Sequence, residues 1–198
     1  MSKGGWDYLG HSIGECWVHN VRPMAYVNIP KNASTFIKSC LGAIAPHYSW
    51  ILHKQLVACD LYLIALREPI KRWISGMSQF KINNPSIELT DTIFDQITFD
   101  DHTDKQVNFL KDIDLNKCVF FKVDETLRGT ISKWVKEQDF LIGDTIDKMP
   151  AYNVSTDIMS EYSAQIIKLI ENNPQNMLKL KQYFADDYAL YNSVKFYD

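Results

Sequence analysis

Lys31, Ser34 and Thr35 stand close together in Asn28-Ile29-Pro30-Lys31-Asn32-Ala33-Ser34-Thr35-Phe36, between a β-prone run and a stretch with helical spacing. A lysine and two adjacent hydroxyls at a strand-to-helix junction suit the binding of a phosphate. Free backbone N–H groups and the positive end of the helix dipole converge there. Lys31 adds a movable ammonium. The competing reading is that Ser34 only caps the helix and Lys31 is solvated. The Walker pattern G-x-x-x-x-G-K-[ST] is absent, which disfavours an ordinary ATP or GTP loop.

A second junction, Leu66-Arg67-Glu68-Pro69-Ile70-Lys71-Arg72-Trp73-Ile74-Ser75, repeats the setting. Arg67 leaves the carboxyl end of a strand, where a guanidinium can make paired hydrogen bonds to a phosphate. Glu68 and Arg72, four residues apart, are expected to form a surface helix pair of a few tenths of a kcal/mol. Ser75 on its own reads as a small polar helix residue; its pairing with Arg67 makes it a phosphate ligand candidate.

Three strand-to-helix units must hold these residues. The first is Ala25–Ile29 followed by Phe36, Ile37, Cys40, Leu41 and Ile44. The second is Leu61–Leu66 followed by Pro69 at a first helical position and the stripe Ile70, Trp73, Ile74, Met77. The third is Val119–Val123, with Asp124 as expected N-cap for a helix carrying Leu127, Ile131, Trp134 and Val135. Helix is expected over 86–110 and about 157–171, with a last helix running from Met177 through Tyr191. The alternation predicts an α/β fold, a central, mainly parallel sheet with helices on its faces, in one domain over 1–198.

Composition agrees with a folded domain: 46% hydrophobic and 23% charged residues exclude a disordered chain. The formal charge of −3 leaves no basic excess for a nucleic-acid binder, so an anion must be held by a local site. Cys16, Cys40, Cys59 and Cys118 form no C-x-x-C pair, so reduced thiols and no metal site are expected. No run of 18 apolar residues and no apolar leader occur, giving an expectation of no membrane and a cytoplasmic protein. N-x-S sequons at Asn32 and Asn153 would matter only in a secretory compartment.

Taken together, the two junctions resemble the sulfotransferases that use 3′-phosphoadenosine 5′-phosphosulfate, in particular the carbohydrate sulfotransferase branch. Pro30-Lys31-Asn32-Ala33-Ser34-Thr35 resembles the family's phosphosulfate loop, P-K-x-x-[ST]-[ST]. Arg67-Glu68-Pro69 through Arg72 to Ser75 resembles its 3′-phosphate motif, R-[DE]-P-x-x-R-x-x-S. Weaker echoes are His102 with Gln106 for H-x-x-P-Q, with Lys105 in place of proline; Lys122 to Leu127 for K-x-E-x-L, with one extra residue; and Tyr183 to Tyr191 for the closing Y-x-x-D-Y-x-L-Y.

The resemblance implies a P-loop-like three-layer fold and transfer of a sulfuryl group to an acceptor hydroxyl of a carbohydrate or small metabolite. Lys31 would stabilise the leaving phosphate. Asn32, Ala33, Ser34, Thr35 and Phe36 would hold the 5′-phosphate, and Arg67 and Ser75 the 3′-phosphate, with no metal. The acceptor needs a general base. His53 is the first choice, His47 and His102 are alternatives, and Glu88 is the carboxylate option. Ser155, in the 149–156 loop, is a candidate at the adenine end, against the reading that Ser155 or Thr156 caps a helix. Two other functions compete: a non-catalytic nucleotide-binding interaction module and a small-molecule kinase. The kinase is opposed by the missing Walker motif, and the Arg67 and Ser75 pair favours a 3′-phosphorylated nucleotide.

Overall fold

The computed structural model describes residues 13–44, 50–138, 146 and 156–198. Five strands form one mixed sheet: β1 (Cys16–His19), β2 (Met24–Val27), β3 (Trp50–His53), β4 (Leu61–Leu66) and β5 (Cys118–Lys122), in the order β3-β1-β2-β4-β5. β2, β4 and β5 are parallel neighbours, as the three strand-to-helix units predict. β1 pairs antiparallel with β2 and with β3, and these two strands had no sequence signal of their own. Their antiparallel pairing partners place them.

The helices are α1 (Ser34–Ile44), α2 (Pro69–Asn83), α3 (Ile93–Gln96), α4 (Leu127–Glu137), α5 (Asp157–Asn172), α6 (Pro174–Tyr183) and α7 (Ala185–Ser193). One face of the sheet, with Tyr26, Leu63 and Phe121, packs on α1 and α4 through Leu41, Ile131 and Trp134. The opposite face, with Val27, Ile64 and Phe120, is covered by Phe109, Leu110 and Leu190. A third cluster joins α2 to α3, α5 and α6 through Trp73, Met77, Phe94, Ile166 and Leu180.

Three expectations are corrected. The 86–110 segment is mostly irregular, with only α3 and a short 3-10 turn at Gln106–Leu110. Its backbone is taken up by side chains: the Thr103 hydroxyl accepts from the N–H groups of Phe99 and Asp100, and Asp100 accepts from the His102 N–H. The last helix is two, divided at the buried Phe184. In the third unit Asp124 lies ahead of the helix, and its carboxylate accepts from the Thr126 N–H and hydroxyl.

The parallel register sets the carboxyl ends of β2, β4 and β5 side by side, so the segments carrying Lys31, Arg67 and Val123 meet along one edge of the sheet. Among the described residues no helix is long and apolar enough to cross a membrane. All four cysteines are free.

Candidate functional site

The chain reverses out of β2 through a loop with no glycine. Lys31 and Ala33 nevertheless adopt left-handed backbone, with φ of 66° and 57°. For residues with a side chain this costs about 1–2 kcal/mol each, and such strain survives only where the surroundings enforce it. Three side chains enforce it here. Asn32, fully buried, donates through Nδ2 to the Ala65 carbonyl and to Gln106 Oε1, both at 2.7 Å. Arg72 Nε donates to the Pro30 carbonyl at 2.9 Å, and an Arg67 guanidinium N–H lies 3.4 Å from the Lys31 carbonyl.

The loop delivers the chain into α1 with Ala33 as the cap: its carbonyl accepts from the Ile37 N–H at 3.0 Å. Alanine has no side-chain acceptor, so the N–H groups of Ser34, Thr35 and Phe36 have no cap and no partner within the helix. An anion at this point would supply the missing acceptor.

Lys31, Ala33, Ser34, Thr35, Arg67 and Ser75 all line one cleft of about 970 Å³. The two phosphate motifs, 36 residues apart from Lys31 to Arg67, therefore face a single space. Asn32 and Phe36 do not line it: the Asn32 N–H turns to the Ile29 carbonyl at 3.3 Å, and the Phe36 ring lies under the Arg128 guanidinium. Asn32 thus shapes the loop instead of contacting a ligand.

Arg72 is not in a surface pair. It is 1% exposed, and it donates to the carbonyls of Pro30, Asp101 and Asp104. Glu68 lies outside the helix as its cap, accepting from the Lys71 N–H at 2.7 Å and from the Tyr188 hydroxyl, so its carboxylate is spent before it could reach Arg72. Gln106 is the second organiser. Its Nε2 donates to the Arg67 carbonyl at 2.9 Å, while its Oε1 accepts from the Arg67 N–H at 3.1 Å as well as from Asn32. One amide therefore ties the Asn32 loop to the Arg67 junction. The buried Asp187 holds the Gln106 and Val107 N–H groups at 2.9 and 3.0 Å. The spacing of His102 and Gln106 was one sequence signal for this clasp, and the D of the closing D-Y-x-L-Y echo, Asp187 before Tyr188, was the other.

Of the proposed bases, His102 lines the cleft. His53 ends β3, two strands away from β2, and is not among the lining residues. Glu88 is exposed on the loop after α2 and does not line the cleft. His47 and Ser155 lie outside the described residues. Thr156, next to Ser155, caps α5 by accepting from the Met159 N–H and also lines the cleft.

No protein-family model, curated protein or solved structure matches this chain.

His102 Nδ1 lies 3.0 Å from both Asp100 Oδ2 and Asp101 Oδ1. Burial works against the imidazolium, but the hydrogen bonds to the two carboxylates outweigh it and raise its pKa to about 9. These three residues are the one group with metal-ligand spacing among the described residues, and their facing atoms already satisfy one another. Lys31 moves the other way, to about 8. Burial is the main cause, the Arg67 and Arg72 charges add to it, and Asp100 opposes it. An ammonium held so close to guanidinium groups gains strongly from a bound polyanion.

His102 is seated by a close backbone approach. A Cβ on Gly76 of α2 would fall 2.1 Å from the His102 carbonyl oxygen. Gly76→Ala is therefore expected to push the 100–103 loop off α2 and to destabilise the protein by about 1–3 kcal/mol, measurable as a lower urea midpoint. An unchanged midpoint would show that the loop can move aside freely.

Proposed function

We propose that this chain is a sulfotransferase that moves a sulfuryl group from 3′-phosphoadenosine 5′-phosphosulfate to an acceptor hydroxyl. The observation that carries the reading is the convergence of Lys31, Ser34, Thr35, Arg67 and Ser75 on one cleft, at the carboxyl edge of parallel strands. A nucleotide with phosphates at both 5′ and 3′ positions would use both loops; ATP has no group for the second. The P-loop-like character of the fold belongs to this proposal: a phosphate loop after β2 with side-chain clamps in place of glycines.

In the proposed reaction the 5′-phosphate accepts the free N–H groups at the start of α1 and the hydroxyls of Ser34 and Thr35. Arg67 and Ser75 hold the 3′-phosphate. The acceptor oxygen attacks sulfur as the S–O bond to phosphate breaks, and Lys31 stabilises the charge left on the phosphate oxygen. The hydroxyl proton goes to the His102 ring nitrogen opposite Nδ1, and Asp100 and Asp101 stabilise the resulting imidazolium. His102 replaces His53 as the assigned base because it shares the cleft with Lys31. No metal is required by these steps. Four free thiols favour a reducing, cytoplasmic setting.

The test is thermal stability with 3′-phosphoadenosine 5′-phosphate, with ATP and with neither. A ligand at about 100 times its dissociation constant stabilises the folded state by roughly 2.7 kcal/mol, a rise of several degrees for a chain of this size. Stabilisation by the 3′-phosphorylated nucleotide and not by ATP is expected. An equal response to ATP would favour a kinase, and no response to either would remove the nucleotide assignment.

A further inference from the structure

Lys31 lines the cleft together with the Ser34 and Thr35 hydroxyls at the uncapped start of α1. Among the described residues its ammonium makes no ion pair with a carboxylate, and its polar neighbour is Gln79 Oε1 at 3.5 Å. The amine is not tied down. The charges that act on it are the Arg67 and Arg72 guanidiniums and, from the 100–103 loop, Asp100; Lys38, Asp101 and His102 line the same cleft. Burial and the two guanidiniums bring its pKa from 10.5 to about 8, so at pH 8 about half of Lys31 is a neutral amine. An ordinary exposed lysine is neutral in only about one molecule in 300 at that pH.

A neutral amine beside a phosphate cradle matches one class of electrophile. An acyl phosphate is a mixed anhydride, as a phosphosulfate is, with phosphate on one side of the bridging oxygen and an electrophilic centre on the other. Its phosphate would take the free N–H groups of α1 and the hydroxyls of Ser34 and Thr35, and its acyl carbon would extend toward Lys31 as the sulfur would. Arg67 keeps its proton. The site therefore still holds an anion while Lys31 is neutral.

We propose that Lys31 is a site of acylation by small acyl phosphates, seated through their phosphate at the start of α1. This rests on the phosphate cradle of the reading above and not on sulfuryl transfer. The Lys31 nitrogen attacks the acyl carbon, so that an amide C–N bond forms and the C–O bond to phosphate breaks, its electron pair remaining on the phosphate oxygen. Inorganic phosphate and one proton leave, and nothing is oxidised or reduced. Acylation removes the positive charge of the side chain. In the sulfotransferase reading this takes away the group that stabilises the leaving phosphate and turns transfer off.

The experiment treats wild-type protein with acetyl phosphate at about pH 8, alone and with excess inorganic phosphate, and follows each lysine by peptide mass mapping. Lys54 and Lys111, exposed and outside the cleft lining, are the internal references. Lys31 is expected to be acetylated about tenfold faster than either, because its free-amine advantage of about 10² is partly offset by its weaker basicity. Inorganic phosphate should slow the reaction at Lys31 and leave the references unchanged. Acetylation of Lys31 no faster than Lys54, or at a rate that phosphate does not alter, overturns the proposal. Transfer activity should fall in proportion to the Lys31 acetylated, and full activity after complete acetylation overturns the shut-off. If the untreated protein ignores 3′-phosphoadenosine 5′-phosphate, the sulfotransferase reading fails, while selective and phosphate-protected acetylation still upholds the acylation site.

Discussion

Lys31→Ala is expected to lower the transfer rate by about 10²–10³, the usual cost of removing one group aimed at developing charge. In the proposed reaction the substitution would remove the cation that stabilises the leaving phosphate while leaving Ser34, Thr35, Arg67 and the free N–H groups of α1 in place. Binding of 3′-phosphoadenosine 5′-phosphate should therefore weaken much less than kcat falls. Arg67→Ala should show the reverse split, with donor KM rising more than kcat falls, because in the proposed reaction Arg67 would hold the 3′-phosphate, which does not react. If Lys31→Ala changes donor affinity alone, Lys31 is an anchor and the leaving group is stabilised elsewhere.

The same residue sets the pH response. Lys31 has its pKa lowered to about 8, so it is charged below that pH and neutral above it. Nucleotide affinity is expected to fall as pH rises through about 8, and Lys31→Ala should flatten this dependence. His102, raised to about 9, must lose its proton to act as a base, so the rate with bound donor should climb toward pH 9. The two slopes have opposite signs, and binding and turnover measured separately across pH 6 to about 10 resolve them.

Arg72→Met is expected to cost about 3–5 kcal/mol of stability, the range for removing one partner of a buried charge network. The guanidinium is fully enclosed and supplies three carbonyl oxygens in two separate segments. Burial lowers its pKa, and Asp187, Asp104, Asp101 and Asp100 counter that and keep the cation in place. Methionine would fill the stem's volume, but the Pro30, Asp101 and Asp104 carbonyls would be orphaned and Asp187 would lose its countercharge. Arg72→Lys should recover only part of the loss, since an ammonium cannot reproduce a planar fork to three acceptors. A fall of roughly 10 °C in melting temperature is expected for methionine; a loss below about 1 kcal/mol would show that the loops hold themselves.

The contrast between Lys31 and Arg72 shows how much of the site was legible in the chain. Lys31, Ser34, Thr35, Arg67 and Ser75 sit in short local patterns at strand ends, and local patterns specify which residues leave a strand and enter a helix. Arg72 lies in the same motif, yet its role depends on carbonyls about 30–40 residues away in sequence, which helical spacing cannot encode; the i to i+4 rule paired it with Glu68 instead. His102, Gln106 and Asp187 were visible only as faint echoes, because their function is to join segments. The 86–110 segment misled for a related reason. Its apolar spacing is that of a helix, but Thr103 and Asp100 side chains compete successfully for the backbone N–H groups.

Residue order alone made legible the three strand-to-helix units, the Lys31, Ser34, Thr35 and Arg67 placed at two of their junctions, and the small negative net charge. Hydrophobic periodicity and turn chemistry act over a few residues, and so they can be read without a fold. Only the tertiary structure decided that both junctions open on one cleft, that β1 and β3 close the sheet antiparallel, and that His102 accompanies Lys31 where His53 does not. It also decided that a loop without glycine can hold Lys31 and Ala33 in left-handed backbone. These are consequences of strand order and of side chains that meet across long stretches of chain, and the energy that enforces them comes from Asn32, Arg72 and Gln106 finding their partners only after the sheet has formed.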